Sequence, residues 1–317
     1  MNIYKPEVFQ GSFKKDRYFE GWYFKHVSKD LQHVISVIPG ISMNKTDAHS
    51  FIQVIDGISG ETSYFRYEAG DFEASRSKLH IRVGDSSFSR DGIELNINQE
   101  KQINGKIEYS DFTPYPKKLL SPGIMGWYSF VPFMECKHGI VSVQHHLDGS
   151  LEIDGKKINF DDGNGYSEKD WGTSFPESWI WVHCNNFEKS NASLTFSVAK
   201  IPWLGSFFVG LIAFLYYDER FYLFSTYNKS RVKHLDYKNN RLLVELESKE
   251  YNLHIRVTQN RSGDLKAPAM GEMSRVIKES IDSDVEISLQ DPKGNVIYED
   301  RGTRAGMEII EKILGYF

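Results

Sequence analysis

Leu151-Glu-Ile-Asp-Gly-Lys-Lys-Ile-Asn-Phe160 reads as two short strands hinged on Asp154-Gly155, because alternating apolar residues flank a pair that tolerates positive φ. The same pattern recurs along the chain. Short β-branched and aromatic runs are broken about every eight to twelve residues by Gly, Asn or Asp, as in an all-β sandwich or barrel. Turn pairs stand at Asp56-Gly57, Ser59-Gly60, Asp91-Gly92, Asn104-Gly105 and Asp148-Gly149, each between candidate strands. The fold expected is all-β, made of antiparallel neighbours.

A chain of 317 residues is long for one core and suits two. Composition breaks at Asp161-Asp-Gly-Asn-Gly165 and Thr173-Ser-Phe-Pro176 put the domain boundary near residue 176. Each half, 1–176 and 177–317, is then long enough for a barrel of about eight to ten strands. No internal repeat is visible as sequence identity. Two stretches resist the strand pattern: 273–281, with Met273, Val276, Ile277 and Ile281 at helical spacing, and 306–314, which fits a short terminal helix. Residues 113–133, with four prolines, read as a long loop that acts as a lid or strap.

Phe, Tyr and Trp make up 14% of the chain, which rules out a disordered or collagen-like class. A formal charge of −5 lacks the basic excess that a phosphate backbone demands, so nucleic acid is not an expected partner. The start shows neither a signal nor a transit segment, so the cytoplasm is the expected compartment. Cys136 and Cys184 are far apart and read as plain thiols. The longest uncharged stretch, 201–217, is interrupted by Pro202, Gly205 and Gly210 and reads as buried or interfacial strand. It is also the expected place of any peripheral membrane contact.

Four runs carry candidate chemistry. In Arg17-Tyr-Phe-Glu-Gly-Trp-Tyr-Phe-Lys25, a strand would put Tyr18, Glu20, Trp22, Phe24 and His26 on one face. Burial there makes Glu20 a general acid near neutral pH, or else a carboxylate that pairs with Arg or caps backbone groups. In the run from Asp162 to Gly172, Glu168 and Asp170 share a face with Tyr166, while Lys169 and Trp171 share the other. Two such carboxylates shift each other's titration, as acid/base chemistry requires, and a solvated edge strand would carry the same letters. Trp179, Trp181, His183 and Asn185 form an aromatic wall that lines a flat or cationic ligand or simply fills a barrel. His145 aligns with Val141, Val143 and Leu147 on an apolar face, the setting of a core histidine or of a second acid/base group. The ten His are scattered, and no zinc, calcium, phosphate-loop or dinucleotide motif is present, so no metal is expected.

Arg17 to Lys25, then Gly165-Tyr-Ser-Glu-Lys-Asp-Trp-Gly-Thr-Ser-Phe-Pro176 followed by Trp179-Ile-Trp181, resembles the tocopherol cyclase family. The resemblance runs from about Tyr18 to Asp300-Arg-Gly-Thr-Arg-Ala-Gly306. More distantly, the first aromatic pair and the Tyr-x-Glu-x-Asp-Trp block are similar to carotenoid hydratase-like proteins with two lipocalin-like barrels in tandem. The resemblance implies ring closure of a prenylated hydroquinone onto its own alkene, giving a chromanol. That reaction needs a proton donor, a dry cavity and a base for the phenol proton, and no cofactor. Assigned by chemistry, Asp170 or Glu168 donates the proton and Glu20 or His145 is the second acid/base group. Tyr18, Trp22, Phe24, Tyr166, Trp171, Trp179, Trp181 and His183 would then bind a prenyl quinol, another isoprenoid or a lipid. A carrier or sensor of a hydrophobic ligand would use the same aromatic cavity without a poised acid.

Overall fold

A computed structural model describes residues 2–11, 16–132, 134–203 and 205–317. The stretches read above as the chain start, the strap and the apolar run 201–217 therefore each include residues outside the described set.

The chain divides into two compact units, Met1–Phe175 with Leu265–Val276, and Pro176–Asp264 with Ile277–Phe317. A single cut near residue 176 thus misses the return of Leu265–Val276 to unit 1. Its backbone is bonded there: Lys266 N donates to Gln53 Oε1 at 2.8 Å, and Ser42 Oγ donates to Gly271 O at 2.6 Å.

Unit 1 carries β1 (Tyr18–Val27), β2 (Val34–Met43), β3 (His49–Asp56), β4 (Thr62–Glu68), β5 (Phe72–Ala74) and β6 (His80–Val83). It continues with β7 (Ser86–Ser89), β8 (Gly92–Asn98), β9 (Gln102–Thr113), β10 (Cys136–Ile153), β11 (Lys156–Asn159) and β12 (Gly163–Gly172). The sheet runs β4-β3-β2-β1-β12-β10-β9-β8-β7-β6-β5, with β11 beside β10, and forms a nearly closed antiparallel barrel. Alternate residues of each strand face one way. Trp22, Phe24, Val37, Phe65, Phe88, Ile107, Leu147 and Trp171 belong to its apolar core.

The second sheet holds β13 (Trp179–Cys184), β14 (Ser193–Trp203), β15 (Ser206–Tyr217), β16 (Arg220–Ser225) and β17 (Arg231–Lys238). It is completed by β18 (Arg241–Glu247), β19 (Asn252–Thr258), β20 (Gly263–Ala269), β21 (Glu272–Gln290) and β22 (Val296–Ile309). Its order is β16-β15-β14-β13-β22-β21-β19-β18-β17, with β20 beside β21. The two sheets repeat one plan. A four-strand meander leads through a short 3-10 turn into a second meander, whose last strand closes on the first: β12 on β1, and β22 on β13. The all-β, tandem lipocalin-like fold is therefore present, and its internal repeat is topological.

Several local expectations are corrected. Asn104-Gly105 and Asp148-Gly149 are not turns but lie inside the paired strands β9 and β10. A Cβ at Gly105 would stand 2.3 Å from Ser150 O, and one at Gly149 2.2 Å from Lys106 O. Glycine is required there by close backbone approach. The 273–281 stretch is strand, part of β21: Ile277 and Ile281 are buried but Val276 is 63% exposed, so the helical spacing counted a solvent-facing residue as apolar core. Of 306–314, Gly306 to Ile309 ends β22, and only the 3-10 turn Glu311–Tyr316 is helical. Between Pro114 and Pro132 the strap is irregular apart from an isolated bridge of Lys118 with Ser121 and a 3-10 turn at Gly126–Phe130. The apolar run 201–217 is a hairpin of β14 and β15, with Leu211, Phe214 and Leu215 buried and Phe207 exposed. Among the described residues no helix is long and apolar enough to cross a membrane.

Candidate functional site

The register of β1 against β12 decides where each candidate points. Glu20 lies opposite Trp171, Trp22 opposite Lys169, Phe24 opposite Ser167 and His26 opposite Gly165, so these face the barrel core. Gly21 lies opposite Asp170, Tyr23 opposite Glu168 and Lys25 opposite Tyr166, on the other face. Glu20 and the Glu168/Asp170 pair are thus on opposite sides of the sheet. They cannot act on one substrate atom through a shared cavity in this barrel.

Glu20 is fully buried and fully bonded. It accepts from Gln10 N at 2.8 Å, Gly11 N at 2.9 Å and Tyr18 OH at 2.5 Å, and it pairs with the equally buried Lys169. Lys169 also donates to Pro6 O at 2.8 Å and Val8 O at 2.6 Å, and its ammonium lies 4.5 Å from the Trp22 ring centroid and 4.9 Å from that of Trp171. Burial pulls Lys169 below the ordinary lysine range, and the Glu20 carboxylate opposes that shift. This ion pair fastens the N-terminal segment to the barrel. Tyr18, Trp22 and Trp171 belong to that packing, with Phe24 stacked on Phe88 at 5.8 Å. Glu20 thus caps backbone N–H groups, one of the roles expected of it, and its ionic partner is a lysine of the paired strand β12 rather than an arginine.

His145 and His26 are also inside the barrel. Tyr109 OH lies 2.6 Å from His26 Nε2, and its ring is 4.3 Å from that of His145. Phe112 stacks on His145 at 5.5 Å, and a Cβ at Gly165 would stand 2.2 Å from His145 Nε2. Burial pushes His26 down to about 3 and His145 well below its ordinary value, so both rings are neutral. His145 occupies the position of a core histidine.

On the opposite face, β10 brings His138 beside Asp170 and Ile140 beside Glu168. His138 Nδ1 lies 3.0 Å from Asp170 Oδ1 and Nε2 lies 3.6 Å from Glu168 Oε2, while Tyr166 OH donates to the same Glu168 oxygen. Cys136 Sγ points to Asp170 Oδ1 at 3.8 Å, leaving Asp170 Oδ2 without a hydrogen bond among the described residues. Burial alone would depress His138, but the carboxylates of Asp170 and Glu168 lift it to about 9. The Cys136 thiol is pushed up by burial and by the neighbouring Asp170. At neutral pH the cluster is an imidazolium clamped between two carboxyl groups.

His138 and Cys136 were missed by the sequence reading. They extend the alternation that leads into Ile140, but nothing local shows that β10 pairs with β12 in the register that aligns His138 with Asp170. His138, Glu168 and Asp170 together offer three ligand atoms within 4.8 Å of one another, enough to hold a divalent cation in place of the proton. His146, Asp148 and Asp162 form a second such group, more exposed, with Lys29 paired to Asp162 at 2.7 Å. Scattering along the chain therefore did not prevent clustering in space.

Trp179, Trp181 and His183 share one face of β13, as the alternation requires, but Ile180, Val182 and Cys184 are the ones that fill the core of unit 2. The wall lies on the opposite face and is buried, with Trp179 Nε1 donating to Glu308 Oε2 at 2.6 Å and the Trp181 and His183 rings stacked at 6.2 Å. In each unit, then, the closing strand pair carries aromatic and carboxylate groups on the face turned away from the apolar core.

Fold and site together define a class: a lipocalin-like, all-β protein with a histidine–carboxylate cluster on the strand pair that closes its first barrel. The chain belongs to the tocopherol cyclase-like family, whose sequence profile matches residues 96–310. A "Probable tocopherol cyclase, chloroplastic" of Oryza sativa subsp. japonica is 31% identical over 103 residues, covering 31% of this chain and 22% of that protein. The chloroplastic tocopherol cyclase of Zea mays is 34% identical over 74 residues, covering 23% and 16%. The matched segments are thus a minor part of both relatives. Among solved structures, CghA with Sch210972 aligns with a TM-score of 0.57 and 10% identity over 92% of this chain and 88% of that one. Kievitone hydratase from Nectria haematococca aligns at 0.50 and 9% over 95% and 93%. At such identities the likeness concerns the fold.

Proposed function

We propose that this protein is an acid-catalysed cyclase that closes a prenylated hydroquinone, or a related isoprenoid, to a chromanol. The family suggests a small, hydrophobic, isoprenoid-like substrate. The observation that carries the reading is His138 held between Asp170 and Glu168 beside Tyr166. At rest the proton sits on His138; it passes to Asp170, and Asp170 hands it on to the substrate. Its proton goes to the less substituted alkene carbon, the neighbouring carbon becomes a tertiary cation, and the phenol oxygen bonds to that carbon. Glu168 accepts the phenol proton and returns it to His138, so the cluster regains its starting protonation and the reaction is a net isomerisation. Incubation with prenylated benzoquinols of several chain lengths, followed by chromatography for a product of unchanged mass, tests it. No turnover with any of them would overturn it.

A second reading, a carrier of a hydrophobic ligand, is favoured by one observation: Glu20, one of the expected acid/base groups, is neutralised by Lys169. Mass spectrometry of lipid co-purified with the protein separates the readings. A bound prenyl lipid recovered unchanged after incubation at the working pH supports the carrier.

A further inference from the structure

The strap of unit 1 carries a second feature that neither reading uses. Lys118 and Ser121 form an isolated antiparallel bridge, each N–H donating to the other's carbonyl at 2.8 and 3.0 Å. Leu119 and Leu120 are therefore the two residues at the tip of a closed turn, and they are 80% and 75% exposed. Tyr4 holds the turn from the side, its hydroxyl donating to Leu119 O at 2.6 Å and its ring meeting Phe130 edge-on at 6.3 Å. Phe130 and Trp127 lie on the same 3-10 turn and are about half exposed, with Trp127 stacked on Tyr128 at 4.2 Å.

Single exposed apolar residues are ordinary, but this group is not scattered. Two leucines project from a turn pinned by hydrogen bonds, so they cannot fold back onto the barrel without breaking it. Behind them stand aromatic rings, the residues that favour the boundary between headgroups and acyl chains. Lys118 adjoins the tip and makes no ion pair among the described residues, while Lys117 pairs with Glu7 at 3.5 Å. An apolar tip, an aromatic collar and an unpaired cation complement an anionic bilayer rather than a protein groove.

We infer that this strap is a membrane-docking surface, with Leu119 and Leu120 entering the acyl region and Trp127, Phe130 and Lys118 lying at the headgroups of an anionic bilayer. A ligand that dissolves in the membrane would be collected there, whether the chain acts as cyclase or carrier. The inference does not depend on catalysis.

Flotation of the full chain with vesicles of phosphatidylcholine and phosphatidylglycerol, against phosphatidylcholine alone, is the test. The wild type floats with the anionic vesicles, and L119D/L120D lowers the partition coefficient by at least about tenfold while leaving the melting temperature unchanged. K118E reduces the preference for the anionic vesicles. F207D, on the apolar hairpin of the second sheet, leaves flotation as it was. The inference is overturned if the wild type floats with neither vesicle, if L119D/L120D floats like the wild type, or if F207D abolishes flotation. It is also overturned if the wild type is a concentration-dependent dimer that L119D/L120D converts to monomer, since a second copy would then be the occupant.

Discussion

Asp170 and Glu20 show how two carboxylates of similar sequence setting come to differ, Glu20 fully buried and the Asp170 side chain one quarter exposed. Glu20 takes three hydrogen bonds and a lysine, whereas Asp170 keeps one oxygen without a hydrogen bond among the described residues and lies against the cationic His138. Asp170→Asn retains the shape and removes the transferable proton, so turnover should fall by about 10²–10⁴-fold with little change in melting temperature. A destabilised variant with near-normal turnover per folded molecule would remove Asp170 from the mechanism. Lys169→Met leaves Glu20 buried without its cation and strips the donors from Pro6 O and Val8 O. Breaking a buried pair in this way costs about 3–5 kcal/mol, to be read from urea unfolding. A loss below about 1 kcal/mol would mean that the pair does not hold the N-terminal segment. Glu20 was legible as buried, and the alternation of its strand was correct. The identity of its partner was not, because a cross-strand neighbour is chosen by register and not by distance along the chain.

At the level of the element, β10 and β12 build the site by an irregular pairing. Register shifts between Ile140 and Ser142 and between Ser142 and His145 bring His145, rather than Val143, opposite Gly165, while His138 stays opposite Asp170. Gly165 is needed because any Cβ would strike His145 Nε2. Gly165→Ala should therefore destabilise the barrel by about 1–3 kcal/mol. In a double-mutant cycle with His145→Ala the cost should shrink, since the clashing ring is gone. Additive losses in the two single variants would show that Gly165 serves something other than that contact. The turns at Asp56-Gly57 and Asp154-Gly155 were legible from their residues. The glycines at 105 and 149 were misread, because the same residue serves a positive φ in a turn and a close crossing of two strands.

For the whole molecule, the buried histidines of unit 1 bound the pH range of stability from both sides. His138 titrates near 9 in the fold, above the ordinary 6.5, so its contribution is complete below pH 6.5 and is lost as pH rises through 9. His26, held near 3, and His145, also depressed, contribute fully above pH 6.5 and lose that contribution as pH falls toward 3. Thermal melting across this range should peak near pH 6.5. His138→Gln should flatten the alkaline limb and spare the acid limb, and an unchanged alkaline limb would show that His138 does not titrate as a clamped cation. The all-β class, the antiparallel strands, the face shared by Tyr166, Glu168 and Asp170 and the family resemblance were all legible from the sequence, since alternation, turn chemistry and motif are local properties. The meeting of His138 with Asp170, the neutralisation of Glu20 by Lys169, the return of Leu265–Val276 to unit 1 and the placing of Trp179 and Trp181 outside the core of unit 2 were decided only by the tertiary structure. Each depends on which strands pair and in what register, and that is settled by burying apolar faces across distances along the chain that no local pattern records.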